Sequence, residues 1–229
     1  NLRHEGVPDE RVHFVGNVMI DTLLANRARA AASPVLADLG LTPRGYAVVT
    51  LHRPANVDDA GTMSRLLDVL SEVQRDMPVV FPMHPRTVAN LTRLGLRARC
   101  DALPGVRLCE PLGYLDFLQL TANAAAVLTD SGGIQEETTI LGVPCLTLRD
   151  NTERPVTLTQ GTNTLVGTDP RRILAAYRCV RSTPPRTPPV PEKWDGRAAE
   201  RIAAILADQV PVAGDPVSQC EPILATAKP

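Results

Sequence analysis

Aromatic residues are scarce: Phe, Trp and Tyr make up 3% of the 229 residues, so a core must be filled by Leu, Val, Ile and Ala. An excess of one charge sign is also missing, with 24 basic against 25 acidic residues and a formal net charge of −1. That balance gives no polyelectrolyte footprint for nucleic acid or an anionic membrane surface. No apolar run approaches the ~18–20 residues of a membrane span, and no signal-peptide pattern opens the sequence. The five cysteines (Cys100, Cys109, Cys145, Cys179, Cys220) are odd in number, scattered and never in a Cys-x-x-Cys pair. This argues against a zinc site or a disulfide scaffold and for reduced thiols in a cytoplasmic compartment. Neither a Gly-x-Gly-x-x-Gly dinucleotide fingerprint nor a Walker loop occurs. No initiator Met precedes Asn1, which predicts a piece of something longer.

What is present is the composition of a globular chain, 44% hydrophobic and 21% charged, long enough for one large domain or two small ones. Short apolar, β-branched runs predict strands at 12–15, 46–51, 78–82, 106–108, 126–129, 144–147 and 164–166. Helical periodicity lies between them, at 18–32, 60–76, 87–94, 114–122, 134–141 and 170–180, with a last helix over 196–207. Strands apolar on both faces point to a doubly wound α/β fold, a parallel sheet with helices on both sides. The predicted organisation is a connector with a linking helix over 1–33 and the α/β domain over 34–181. A proline-rich linker and final helix over 182–209 and a loose tail over 210–229 follow.

In an open α/β sheet, ligands sit where strand carboxyl ends meet helix N-termini. The strongest such junction is Thr129-Asp130-Ser131-Gly132-Gly133-Ile134-Gln135-Glu136-Glu137. A small-residue turn there exposes backbone N–H groups at the positive end of a helix, and the glycines let a phosphate approach. Glu136 or Glu137 could accept hydrogen bonds from sugar hydroxyls. The same pattern is equally that of an N-cap, with Asp130 or Ser131 as the capping residue. Two of the four histidines, His52 and His84, stand at other strand ends, each with an Arg within two residues (Arg53 and Arg86), a pairing suited to a diphosphate. His4 and His13 have no such context and are assigned to surface or packing. In the loop Arg149-Asp150-Asn151-Thr152-Glu153-Arg154-Pro155, Thr152 or Asn151 could cap a helix. Arg149 and Arg154 could pair with Glu136, Glu137 or Glu153, with Arg149 favoured as scaffold and Arg154 as ligand contact.

Taken in order, several segments resemble the UDP-N-acetylglucosamine 2-epimerase family, which has the two-domain GT-B architecture. They are Gly16-Asn17-Val18-Met19-Ile20-Asp21, His52-Arg53-Pro54-Ala55-Asn56-Val57, Pro82-Met83-His84-Pro85 and Glu110-Pro111-Leu112-Gly113-Tyr114-Leu115. Asp130 through Glu137, Leu141-Gly142-Val143-Pro144, Thr152-Glu153-Arg154-Pro155 and Gly161-Thr162-Asn163 complete the set. The resemblance implies a non-hydrolysing epimerase acting on a UDP-sugar, with a hydrolysing member or a GT-B glycosyltransferase donor domain as alternatives. It also implies no redox cofactor, no metal and a homodimer for the full-length protein. Ser131, Gly132 and Gly133 would hold the diphosphate, Glu137 the ribose, and Leu112 and Phe117 the uracil. His52 would contact UDP and be the catalytic candidate on this chain, and Arg154 would lie at the phosphate–sugar junction. Arg53 and His84 match positions that some bacterial members use for an allosteric second substrate molecule. The family's Gly-Thr-Arg-Pro-Glu motif and its proton-transfer carboxylates belong to an N-terminal domain not found here. The chain is therefore expected to bind UDP with little or no turnover.

Overall fold

A computed structural model describes residues 2–183 and 189–209. Six parallel strands form one sheet among these residues: β1 (Ala47–Thr50), β2 (Val79–Pro82), β3 (Val106–Cys109), β4 (Ala126–Thr129), β5 (Cys145–Thr147) and β6 (Asn163–Leu165). Their order, β3-β2-β1-β4-β5-β6, is that of a doubly wound sheet, as the alternation of elements predicted. The longer helices are α1 (Val18–Ala31), α4 (Ala60–Val73), α5 (Pro85–Arg93), α7 (Tyr114–Ala122), α8 (Gly132–Leu141), α10 (Pro170–Ser182) and α11 (Ala198–Gln209). Shorter ones are α2 (Val35–Asp38), α3 (Pro54–Val57), α6 (Arg97–Asp101) and α9 (Val156–Thr159). No described helix is long and apolar enough to cross a membrane.

The strands are apolar on both faces because both faces are covered. Ala47, Val49, Val79, Phe81 and Leu128 pack with Leu66, Leu70, Ile173 and Tyr177 from α4 and α10. The alternate residues Val48, Val80 and Val127 pack with Leu23, Leu118, Leu120 and Leu141 from α1, α7 and α8. Helix starts are set by local chemistry: Asn17, Asp59 and Asp169 each accept a first-turn N–H, and Pro85 and Pro170 sit where a missing N–H costs nothing. Helix α5 thus starts at Pro85 with His84 as its cap, two residues before the predicted 87, and α8 begins at Gly132 rather than 134.

One predicted strand is not a strand. Among the described residues, 12–15 pair with no ladder, and the carbonyls of Phe14 and Val15 are taken by side chains from the far end of the chain. Lys193 Nζ donates to the Phe14 carbonyl at 2.7 Å, and Arg201 Nη1 to that of Val15 at 3.1 Å. The same junction is closed by Asp21, whose carboxylate accepts the N–H groups of Ala198 and Ala199 at 3.1 and 2.7 Å and so starts α11. Pro184, Pro185 and Pro188, and the predicted tail with Cys220, lie outside the described residues.

Gly16 is indispensable to this closure. Its φ is +103°, and a Cβ there would overlap the Lys193 carbonyl oxygen. Gly16→Ala is expected to destabilise the chain by about 1–3 kcal/mol, read as a lower urea midpoint. An unchanged midpoint would show that the junction does not contribute to stability.

Candidate functional site

The strand order reverses direction between β1 and β4, which opens a crevice beyond their carboxyl ends. Thr50 and Thr129 face each other across that point with their hydroxyls 2.6 Å apart. Beyond them run Leu51-His52-Arg53 from β1 and Asp130-Ser131-Gly132 from β4.

Asp130 ties the two loops together. Its carboxylate is fully buried and accepts the backbone N–H of His52 at 3.0 Å, that of Arg53 at 2.9 Å and the Asn56 amide at 3.1 Å. His52 Nδ1 lies 2.9 Å from the same carboxylate. Burial alone would raise the Asp130 pKa. The hydrogen bonds from the His52 ring and the two backbone N–H groups, with the His52 charge, outweigh it and hold the carboxyl below its ordinary range. With Nδ1 committed, Nε2 is the nitrogen of this partly exposed ring available to a ligand.

Asp130 is therefore not the cap of α8. Ser131 holds the N-cap position, with φ −86° and ψ 132°, but its side chain makes no capping bond. Its own N–H goes to Thr129 Oγ1 at 3.0 Å. The first-turn N–H groups of α8 receive no side-chain acceptor, and the helix presents its positive end uncovered. Gly132 and Gly133 need no left-handed backbone. A Cβ at Gly132 would meet nothing within 4 Å, and one at Gly133 only Met19 Cε at 3.7 Å. Packing within the chain does not demand glycine at Gly132.

The other predicted residues lie on α7, α8 and the loops after β1, β2, β3 and β5. Leu112 and Phe117, half-buried at the start of α7, pack on the α1/α7/α8 side of the core. Glu137 is 6% exposed, and burial, with the Glu136 charge, pushes its pKa up to about 7. Tyr114 is raised by burial and by the charge of Glu137. Arg154 Nε lies 2.7 Å from Glu136 Oε1. His84 comes close to His52, ring centroids 5.8 Å apart, while its Nδ1 accepts the Arg86 N–H at 3.1 Å. Arg53 Nε is buried without a partner.

Other readings of this region change. The Arg86 guanidinium does not join His84 at the site: it is spent on Asp58, with Nε 3.1 Å from Oδ1. Neither Asn151 nor Thr152 caps the short α9, where Pro155 holds the N-cap position. Thr152 Oγ1 instead accepts the Arg154 N–H at 2.9 Å and donates to Gln135 Oε1 at 2.6 Å. Arg149 pairs with Glu153 at 2.7 Å as scaffold, and His4 and His13 are exposed. Sequence reasoning missed the clamping role of Asp130 and the polar net of Gln135, Thr152 and Asn163. The available signal was an acidic residue directly after a strand buried along its whole length, a place where an unpaired charge would be prohibitive.

The fold and its turn define a doubly wound α/β unit whose switch point carries an uncapped, glycine-opened helix N-terminus, a geometry suited to an anion. A profile of the family described as UDP-N-acetylglucosamine 2-epimerase matches residues 1–207, and the chain belongs to that family. It is 40% identical over 179 residues to the UDP-N-acetylglucosamine 2-epimerase of Methanococcus maripaludis, covering 76% of this chain and 49% of that protein. It is likewise 40% identical over 171 residues to UDP-2,3-diacetamido-2,3-dideoxy-D-glucuronate 2-epimerase of Pseudomonas aeruginosa, covering 73% and 45%. The crystal structure of Methanocaldococcus jannaschii UDP-GlcNAc 2-epimerase in complex with UDP-GlcNAc and UDP superposes with a TM-score of 0.84 at 36% identity, over 90% of this chain and 57% of that one. The chain thus spans about half the length of these relatives.

Glu137 has a measurable signature. A carboxyl whose folded pKa lies near 7 against 4.5 contributes most below the lower value and loses that contribution as pH rises through the higher one. Glu137→Gln is expected to flatten the fall in stability between pH 5 and pH 8, gaining about 2–3 kcal/mol over the native chain at pH 8. Urea unfolding at the two pH values checks this; parallel curves would contradict a buried, uncompensated Glu137.

Proposed function

We propose that this chain is the UDP-binding half of a non-hydrolysing UDP-sugar 2-epimerase, with UDP-N-acetylglucosamine as its substrate and UDP-N-acetylmannosamine as product. The observation that carries the reading is the uncapped N-terminus of α8 with open space over Gly132, set at the switch point of the sheet. In this reading the Ser131 hydroxyl and the N–H groups of Gly132 and Gly133 hold the diphosphate, and Arg154 lies at its junction with the sugar. Glu137 accepts the ribose hydroxyls, and Leu112 and Phe117 border the uracil. His52, held by Asp130 through Nδ1, offers Nε2 to the UDP moiety. Arg53 and His84 are assigned to a second, regulatory substrate position.

The chemistry proposed is anti elimination of UDP across C1 and C2 to a 2-acetamidoglucal, followed by re-addition after the C2 face has switched. UDP leaves as an anion, so fixed N–H dipoles and cations placed where negative charge develops lower the barrier. Proton transfer at C2 needs groups within hydrogen-bond reach of that carbon. The buried acids here serve other ends: Asp130 is saturated with donors, Glu136 is paired with Arg154, and Glu137 lies on the nucleoside side. The proton-transfer carboxylates are therefore assigned to a second domain, as are a homodimeric assembly and a cytoplasmic location to the whole protein. The diacetamido-glucuronate epimerase among the relatives supports a second reading of the sugar alone. The proposed cradle contacts only UDP, so the hexose is selected elsewhere.

Calorimetric titration with UDP tests the site. Ser131→Ala or Glu137→Ala is expected to weaken UDP binding by about 1–3 kcal/mol, the range for a hydrogen bond to a charged group. Gly132→Ala separates ligand from fold. Its stability is expected to hold or rise by about 1 kcal/mol, because alanine favours helix, while UDP affinity falls. Binding of UDP and UDP-N-acetylglucosamine without turnover is the outcome expected of this chain. Undiminished affinity in all three variants would refute the site, and efficient epimerisation would refute the assignment of the missing carboxylates.

A further inference from the structure

Glu136 stands between two groups from distant parts of the chain. Its Oε1 lies 2.7 Å from Nε of Arg154, in the loop after β5, and the side chain of Asn17, at the start of α1, is close enough to pull the pKa of the same carboxyl down. The burial is lopsided: the Glu136 side chain is 8% exposed and that of Arg154 is 45% exposed. A buried acid thus grips a half-exposed guanidinium by its Nε, leaving the Nη groups free of carboxylate partners. Among the described residues, Nη1 reaches only the Glu153 carbonyl, at 3.5 Å. The arrangement is costly, since burial keeps the Glu136 pKa raised in spite of Arg154 and Asn17. An exposed pair would add as much stability without that cost, so gain in stability does not account for it.

The backbone of Arg154 is held as firmly as its side chain. Thr152 Oγ1 accepts the Arg154 N–H at 2.9 Å and donates to Gln135 Oε1 at 2.6 Å. Consecutive residues of α8, Gln135 and Glu136, therefore fix the loop and the guanidinium together. On the other side, Asn17 Oδ1 is spent capping α1, accepting the Met19 N–H at 2.9 Å, so its amide N–H groups are what remains for Glu136. Met19 Cε lies 3.7 Å from where a Cβ on Gly133 would stand. The first turn of α1 is seated on the first turn of α8.

We propose that Glu136 is a positioning residue through which the cap of α1 aims the Arg154 guanidinium at the diphosphate of the nucleotide sugar. This rests on the reading that the Ser131-Gly132-Gly133 turn and Arg154 take a diphosphate. The seating of α1 then sets phosphate affinity without touching the base or the ribose, and displacing α1 from α8 releases the phosphates first.

Titration of the 229-residue chain with UDP and with uridine tests this, using Glu136→Ala, Glu136→Gln, Asn17→Asp, Arg154→Ala and the Glu136→Ala/Arg154→Ala double variant. Glu136→Ala is expected to weaken UDP about ten-fold and leave uridine unchanged, the size of one charge-assisted hydrogen bond. Glu136→Gln, which keeps an oxygen beside Nε without the charge, is expected to restore part of that loss. Asn17→Asp keeps a good cap on α1 but replaces a donor to Glu136 with an anion, so it is expected to weaken UDP selectively as well. The double variant is expected to bind no more weakly than Arg154→Ala alone. Unchanged or tighter UDP binding by Glu136→Ala would mean that the carboxylate competes for Arg154 rather than aiming it, and would overturn the proposal, as would additive losses in the double variant. Should Glu136→Ala fail to fold, unchanged UDP affinity in Asn17→Asp overturns it instead. Native UDP affinity in Arg154→Ala is the separate result that would remove the diphosphate reading beneath it.

Discussion

A carboxylate with no solvent around it must be surrounded by donors, and Asp130 meets that demand by drawing in the loop after β1. The two sides of the crevice are thereby locked in one geometry, and His52 is fixed in orientation by the bond at its Nδ1. The same commitment leaves α8 without a cap. Asp130 is an excellent capping residue by type, but its oxygens are engaged across the crevice, and Ser131 in the N-cap position does not replace it. The unsatisfied N–H groups of α8 are a consequence of how Asp130 is spent. A helix end left open beside open space is stable only if water or a ligand completes it.

Much of the fold was legible because a doubly wound sheet writes its burial into the sequence. The strands 47–50, 79–82 and 126–129 are apolar on both faces because α4 and α10 cover one side and α1, α7 and α8 the other. The run at 12–15 carries the same β-branched signal but has no neighbouring strand, and Lys193 and Arg201 satisfy its carbonyls from nearly two hundred residues away. No local pattern reports such a partner. The short helices α2, α3 and α6 escaped because four or five residues carry too little periodicity to be seen.

The site divides along a similar line. The Ser131-Gly132-Gly133 turn was legible because glycine after a strand end has few other uses. Which carboxylate each arginine would pair with was not, because Arg86 and Arg154 stand in equally polar surroundings in the sequence. Arg86 is drawn away by Asp58 while Arg154 is held half-exposed by Glu136. Charge pairing is decided by which carboxylate the fold brings near, and Asp58 and Glu136 lie 28 and 18 positions from their partners in the sequence. The dual use of Thr152, donor to Gln135 and acceptor from Arg154, is likewise visible only once α8 and the β5 loop meet.

Two buried acids beside an anion-seeking helix end look contradictory until their states are separated. Glu136 is neutralised by Arg154, and Glu137, with a pKa near 7, is partly protonated at neutral pH. Neither therefore opposes a phosphate with a full unpaired charge. A pocket of cations alone would hold any phosphate, including the free ion. A pocket that sets N–H groups at one end and a carboxyl needing donors one helical turn away rewards a ligand that carries phosphate and hydroxyl groups at that spacing. In the proposed site, a free phosphate would satisfy the first set and leave Glu137 buried without a partner. On the proposed reading, discrimination comes from that unmet demand as much as from the attraction.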